Sequence, residues 1–225
     1  MDALLELIAV RHGESVANAA FAEAARAGRE DVGITSRDAD VPLSPLGERQ
    51  SAALGRWVAT RPDPPDLVAS SPYRRARQTT DAVLDALAAT GDRRPELSVD
   101  ERLRDRELGV LEMLTLPAIV RRFPDEDERR RRQGLLYWRP AGGESMMDVA
   151  LRVRAFLADL GREPSRRVLV VTHDTVVLML RYVLERLTED NLTDVAPVLN
   201  GGVTRWGLHD GRLRLASYND TGHLA

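Results

Sequence analysis

Two of the four histidines in this chain occupy the same kind of place. His12 follows the apolar run 4–10 (LLELIAV), with Arg11 before it and Gly13 after it; His173 follows the apolar run 167–172 (RVLVVT). Each run has the length and composition of a buried strand, and each gives way to a segment that suits a helix. In a parallel sheet the carboxyl ends of the strands lie along one edge, which is where ligands bind in such folds. Two histidines at matching strand ends therefore point to a shared site rather than to two isolated core side chains.

The neighbours suggest phosphoryl chemistry. A neutral imidazole can attack phosphorus in line when its second ring nitrogen is held so that the correct tautomer is set. The charge on the three phosphoryl oxygens must be met by fixed donors, because positioning and electrostatics supply most of the catalysis. Arginine suits this better than lysine: its planar fork binds two oxygens and does not lose its proton. Gly13 would let the backbone pass close to the anion, and Asn18 brings an amide within reach if the turn after Gly13 is tight. His12 is the candidate nucleophile.

The elements needed to position these groups can be read along the chain. Residues 17–27 are alanine-rich and helical in character, and 28–43 are polar with no clear period, a loop. Ser44-Pro45 reads as a cap with proline at the first helical position, opening a helix to about residue 60. A short strand at 66–70 precedes Ser71-Pro72, which repeats the cap-then-proline signal before a helix to about residue 90. A third strand is expected within 97–103. The stretch 104–144 is the least regular, with helices expected at 116–123 and 125–136. A helix over 145–160 carries Val149, Val153, Phe156, Leu157 and Leu160 on one face. A further helix is expected over 175–187. The chain closes with a hairpin, 203–209 and 212–218, around the turn Asp210-Gly211. Strands alternating with helices predict an α/β protein, with a mostly parallel central sheet between two helical layers.

Composition narrows the rest. A chain of 225 residues, 43% hydrophobic, suits one domain with an elaborated loop. The formal net charge of −3 gives no reason to expect nucleic acid as a partner. All 32 basic residues are arginine, a bias attributable to codon usage. The absence of cysteine excludes disulfides, thiolate metal sites and cysteine nucleophiles. No apolar run approaches the ~20 residues needed to cross a bilayer. The start of the chain, with Asp2 and Glu6 beside a short apolar run, is unlike a secretory signal. A cytoplasmic protein with no membrane partner is expected; the sequence is also compatible with a homo-oligomer. The run Arg129–Arg132 follows four acids and reads as a solvated helix face.

The segment 10–18 (VRHGESVAN) resembles the signature of the histidine phosphatase superfamily, which includes cofactor-dependent phosphoglycerate mutases and fructose-2,6-bisphosphatases. The resemblance continues in the family's order at 43–50 (LSPLGERQ), 70–79 (SSPYRRARQT), 142–145 (GGES) and 168–174 (VLVVTHD), spanning nearly the whole chain. It implies a single phosphoglycerate mutase-like domain over residues 1–225, with a lid or insertion at about 110–144. It also implies that His12 becomes phosphorylated, with no cofactor and no metal. Arg11 would grip the phosphoryl oxygens together with Arg75, the arginine that precedes Ala-x-Gln-Thr. His173 matches the second histidine of the pocket, and Asn18 a further pocket amide.

The general acid has two candidates. Where the family places a glutamate four residues before a glycine, this chain has Asp105 before Gly109, with Glu107 two residues later; Asp105 is preferred and Glu107 is the alternative acid. Asp174 stands where many members have glycine. A carboxylate there would repel phosphate unless its side chain turns away to cap the helix at Thr175. The segment 110–133 does not resemble the Tyr-Gly-x-Leu-x-Gly phrase of phosphoglycerate mutases. A phosphomonoesterase acting on a small phosphorylated metabolite is therefore expected, the alternatives being a mutase or a catalytically weak phospho-ligand-binding relative. Arg121, Arg122, Arg139 and the run 129–132 are candidates to meet a second anionic group on the substrate. His223, in the tail YNDTGHL, is expected to be structural or exposed.

Overall fold

The computed structural model describes residues 4–91, 94–162 and 166–225; Asp2 lies outside them. Strands β1 (Glu6–Arg11), β2 (Leu67–Ser70), β3 (Glu96–Val99) and β4 (Arg167–Thr172) are parallel, and β5 (Val203–His209) and β6 (Arg212–Asp220) complete the sheet antiparallel at one side. The order across the sheet is β3-β2-β4-β1-β5-β6, so β1 and β4 are adjacent and central.

That position explains their unbroken apolar sequence. Along β1, Leu7 and Ala9 point into one core and Ile8 and Val10 into the other, all at most 1% exposed. A strand covered on both faces gains nothing from polar alternation. One layer is made by α2 (Pro45–Ala59) and α3 (Arg74–Ala89), which set Leu54, Val58, Val83 and Leu87 against Ile8 and Val10. The opposite layer includes α6 (Met146–Leu160) and α7 (Asp174–Glu185), with Val149, Val153, Phe156 and Leu180 against Leu7 and Ala9. The architecture is the single-domain, three-layer α/β/α fold expected.

Local signals act as read at most ends. Ser44 accepts the Gly47 N–H at 3.1 Å to cap α2 as read; at the start of α6, Ser145 forms a reciprocal capping box with Asp148 that was not singled out in the sequence. Asp210 and Gly211, at φ 49° and 72°, make the mirror-image turn that matches the twist of the closing hairpin. Three readings need correction. Ser71-Pro72 does not cap α3, which starts at Arg74 after Tyr73 with no side-chain cap; Ser71 is drawn to His173 instead. The third strand stops at Val99, and residues 101–103 form a 3-10 turn. A short helix, α8 (Glu189–Thr193), carried no recognised periodic signal.

Gly13 is needed for packing. A Cβ there would lie 2.4 Å from the Gly47 carbonyl oxygen, and one on Gly47 would lie 1.9 Å from that of Glu14. The loop after β1 and the first turn of α2 are thus pressed backbone to backbone.

The irregular stretch folds into α4 (Leu116–Arg122) and α5 (Pro124–Tyr137), with α1 (Val16–Ala27) nearby: Arg121 and Arg122 pair with Glu30, just beyond α1. Arg129 pairs with Glu126, Arg130 and Arg131 with Asp127, and Arg132 with Glu128, so the arginine run is neutralised within its own helix. Arg139 pairs with Asp148. None of these arginines lines the cavity at the strand ends. His223 packs beside Trp57 of α2, ring centres 5.9 Å apart, which is a structural role. Among the described residues no helix is long and apolar enough to cross a membrane.

Candidate active site

β1 and β4 run in register, Arg11 opposite Thr172, so the residues that follow them meet. The His12 N–H donates to the Thr172 carbonyl at 2.9 Å, and the His12 and His173 rings stand edge to face, centres 5.0 Å apart. Both are buried, at 2% and 0% exposure. His12 forms part of the wall of a cavity of about 290 Å³, which Arg11, Asn18, Arg75, Asp105, Glu107 and Asp174 also line.

The tautomer of His12 follows from its contacts. Nδ1 lies 2.6 Å from the Gly13 carbonyl oxygen, which can only accept, so Nδ1 carries the proton. The Nε2 lone pair is left facing Arg75, whose Nε–H donates to it at 3.0 Å. Burial, His173 and the charges of Arg75 and Arg11 hold the ring well below its ordinary value of 6.5, against the pull of the Gly13 carbonyl. His12 is therefore a neutral imidazole whose unprotonated nitrogen faces Arg75.

Arg75 reaches the centre from the first turn of α3, its side chain only 4% exposed. Nη1 donates to the Asp38 carbonyl at 2.6 Å and to Asp38 Oδ1 at 2.9 Å; Nη2 donates to Asp38 Oδ2 and Asp105 Oδ2, each at 2.9 Å. Arg11 leaves β1 on the other side. Its Nη1 donates to the Val198 carbonyl at 2.7 Å, and its Nη2 lies 3.3 Å from Asp174 Oδ2. Asp174 has not turned away: it is the first residue of α7, its Oδ1 accepts the Thr175 N–H at 2.6 Å, and it remains in the cavity wall.

His173 is held from two sides. Nε2 is 2.8 Å from Ser71 Oγ, and Nδ1 is 3.2 Å from Asp105 Oδ2, a contact off the line of a good hydrogen bond. Burial lowers its pKa, and Asp105 partly opposes that. Burial alone would raise the Asp105 carboxyl, but His173 and Arg75 outweigh it and hold the group well below the usual carboxylate range. Glu107 lies further out, accepting from the Tyr73 hydroxyl at 2.7 Å. The Tyr73 ring in turn stacks edge-on against His173 at 5.1 Å.

Asn18 is first a helix cap. Its Oδ1 accepts the Ser15 N–H at 3.0 Å and an Asn200 amide at 3.1 Å, so the Nδ2 hydrogens are the end left for a ligand. The site thus brings together the residues to which the sequence assigned catalytic or phosphate-binding roles: Arg11, His12, Asn18, Arg75, Asp105 and Glu107 in the cavity wall, with His173 packed against His12; the arginines considered for a second anionic group lie elsewhere. Sequence reasoning missed Asp38, Ser71, Tyr73 and Asn200. Asp38 lies in a polar loop without period, and Ser71 carried a signal that was read as a cap. Among the described residues no group of three or more His, Asp or Glu side chains is arranged to hold a metal ion.

Residues 7–221 match a family model described as the histidine phosphatase superfamily, branch 1. The chain is 31% identical over 197 residues to a glucosyl-3-phosphoglycerate phosphatase of Mycobacterium tuberculosis, covering 82% of this chain and 83% of that one. It is 28% identical over 194 residues to a 2,3-bisphosphoglycerate-dependent phosphoglycerate mutase of Gloeobacter violaceus, covering 84% and 80%. The solved structure of a mycobacterial glucosyl-3-phosphoglycerate phosphatase in complex with VO3 superimposes with a TM-score of 0.74 at 28% identity, over 96% of this chain and 99% of that one.

Proposed function

The chain belongs to the histidine phosphatase superfamily and is a phosphohydrolase, and on that premise we propose that it is a metal-independent phosphomonoesterase working through a phosphohistidine at His12. The observation that carries this reading is the Nδ1 contact to the Gly13 carbonyl, which leaves Nε2 unprotonated and facing Arg75. On this reading Arg11, Arg75 and the Asn18 amide hold the phosphoryl oxygens. His12 Nε2 forms a bond to phosphorus as the ester P–O bond breaks, and the departing oxygen takes a proton from Asp105. Water then attacks the phosphohistidine, gives its proton back to Asp105, and releases inorganic phosphate. His173 lies beside the reacting nitrogen and stabilises the charge that builds on phosphorus.

Asp105 must gain a proton to act as an acid, yet at rest it is held ionised. Arrival of a phosphoryl anion supplies the change: when Arg75 turns to the phosphoryl oxygens, Asp105 shares its cation with a second anion and its affinity for a proton rises. Glu107, bound to Tyr73, sits where it supports this centre from outside. The segment 110–144 serves as the lid, since Glu112, Met113 and Leu114 form the outer wall of the cavity. The substrate is a small phosphorylated metabolite, and the cytoplasm is the expected place of work.

The test is hydrolysis of para-nitrophenyl phosphate in the presence of a chelator, by the enzyme and by His12→Ala. The expected result is turnover by the former only, with an acid-labile phosphoenzyme trapped on quenching. Equal turnover by both proteins would exclude His12 as nucleophile.

A further inference from the structure

The resting site contains two carboxylates placed against the arginines assigned to the phosphoryl group. Asp38 clasps Arg75 with both oxygens at 2.9 Å and adds its own carbonyl at 2.6 Å, and Asp174 lies 3.3 Å from Arg11. The Arg75 side chain is 4% exposed and that of Arg11 16%; all three Arg75 nitrogens and both Arg11 Nη atoms already have partners, so a new anion would compete for these donors. With Asp105 also on Arg75, a phosphoryl dianion would be the third anion on one guanidinium. Like charges a few ångströms apart in a partly buried site repel strongly.

Resting on the functional reading above, we propose that Asp38 and Asp174 are internal competitors of the phosphoryl group. They hold Arg75 and Arg11 in the resting site, are displaced when the ester enters, and return as inorganic phosphate leaves. Asp38 is well placed to move. It belongs to the 3-10 turn Asp38–Asp40 in the loop after α1, and its N–H is held by Glu112 Oε1 at 2.7 Å, from the segment that forms the outer wall. Displacing Asp38 therefore loosens a tie between the loop and that wall, and its return draws the two together again. Asp174 is 45% exposed and can swing Oδ2 from Arg11 to solvent. The pair keeps resting affinity for phosphate low, which favours release of the product.

The test measures inhibition by inorganic phosphate, and by orthovanadate, of para-nitrophenyl phosphate hydrolysis. The proteins are the wild type, Asp38→Asn, Asp174→Asn, the double variant and Asp38→Glu. Each asparagine removes the charge while keeping the shape. Each is expected to tighten phosphate inhibition by about tenfold, toward the lower end of what a nearby like charge costs. The double variant should tighten it by about a hundredfold, because the two carboxylates act through different arginines. Asp38→Glu, which keeps the charge, should stay near the wild type. Unchanged or weaker inhibition in Asp38→Asn would overturn the proposal, because an aspartate that merely orients Arg75 gives that result. Should Asp38→Asn lose cooperative unfolding, Asp174→Asn on the exposed rim decides alone, and no tightening there overturns the idea. A wild type that neither turns over the ester nor is inhibited by phosphate would overturn the phosphatase reading itself and this inference with it.

Discussion

Replacing Arg75 with lysine tests whether the site depends on the guanidinium fork or only on a positive charge. In the structure three nitrogens of Arg75 make five hydrogen bonds: one to His12, three to Asp38 and one to Asp105. Lysine carries three donors on one nitrogen and cannot reach an imidazole and two carboxylates from one position. On the proposed mechanism it keeps the charge but loses about one of two bonds to the phosphoryl oxygens, and it loses the contact with His12 Nε2. Hydrogen bonds to charged groups contribute ~1.5–3 kcal/mol each, so the expected loss of transition-state stabilisation is ~3 kcal/mol, or about 10²-fold in kcat/KM. Stability should fall by only ~1 kcal/mol, because a cation remains between Asp38 and Asp105. Arg75→Ala should behave differently. It strands two carboxylates that are 26% and 22% exposed, and breaking a buried pair costs ~3–5 kcal/mol, so with that exposure ~2–3 kcal/mol is expected. Steady-state hydrolysis of para-nitrophenyl phosphate gives the first quantity and urea unfolding the second. A lysine variant within threefold of wild-type kcat/KM would refute the role assigned to the fork.

Three further outcomes follow from the geometry. His12 is held well below 6.5, and the neutral ring is the active form. Activity on the acid side should therefore persist below pH 6.5 and fall only at the lowered value; an acid limb for kcat/KM at 6.5 assigned to His12 by NMR titration would contradict this. The same shift sets a sign for stability: the unfolded chain takes up the proton first, so stability should decline as pH drops from about 6.5 toward the folded-state value. Asp105→Asn should slow hydrolysis of an alkyl phosphate by about 10²–10⁴-fold, the usual range for removing a general acid. In kcat/KM, which reports the first step alone, para-nitrophenyl phosphate should be affected far less, because its leaving group departs without a proton; equal losses in kcat/KM on the two esters would argue that Asp105 only positions His173. Gly13→Ala should lower stability by ~1–3 kcal/mol in urea, since its Cβ would lie 2.4 Å from the Gly47 carbonyl oxygen and the backbone must shift; an unchanged midpoint would show that the contact is softer than drawn.

The sequence alone determined what depends on neighbours along the chain. The runs before His12 and His173 announced buried strands because a strand covered on both faces is apolar at every position. Ser44 announced a helix start because a cap uses only the next three residues. Order and identity of the motifs pointed to phosphoryl transfer before any geometry was available. Tertiary structure decided everything that required distant segments to meet. β1 and β4 had to be adjacent and in register for the two histidines to come within 5.0 Å, and strand order leaves no trace in local periodicity. Asp38 was invisible for the same reason: its partner Arg75 lies on another element, and nothing in a polar loop says which cation it will reach. Ser71 shows how a local signal can be overridden. The serine-proline pair reads as a cap, but the Ser71 hydroxyl pairs with the buried His173 ring, reaching the backbone only at the Tyr73 N–H before α3 begins. Gly13 shows another case: the backbone of α2 gives it a further reason to be glycine, which only the folded chain presents.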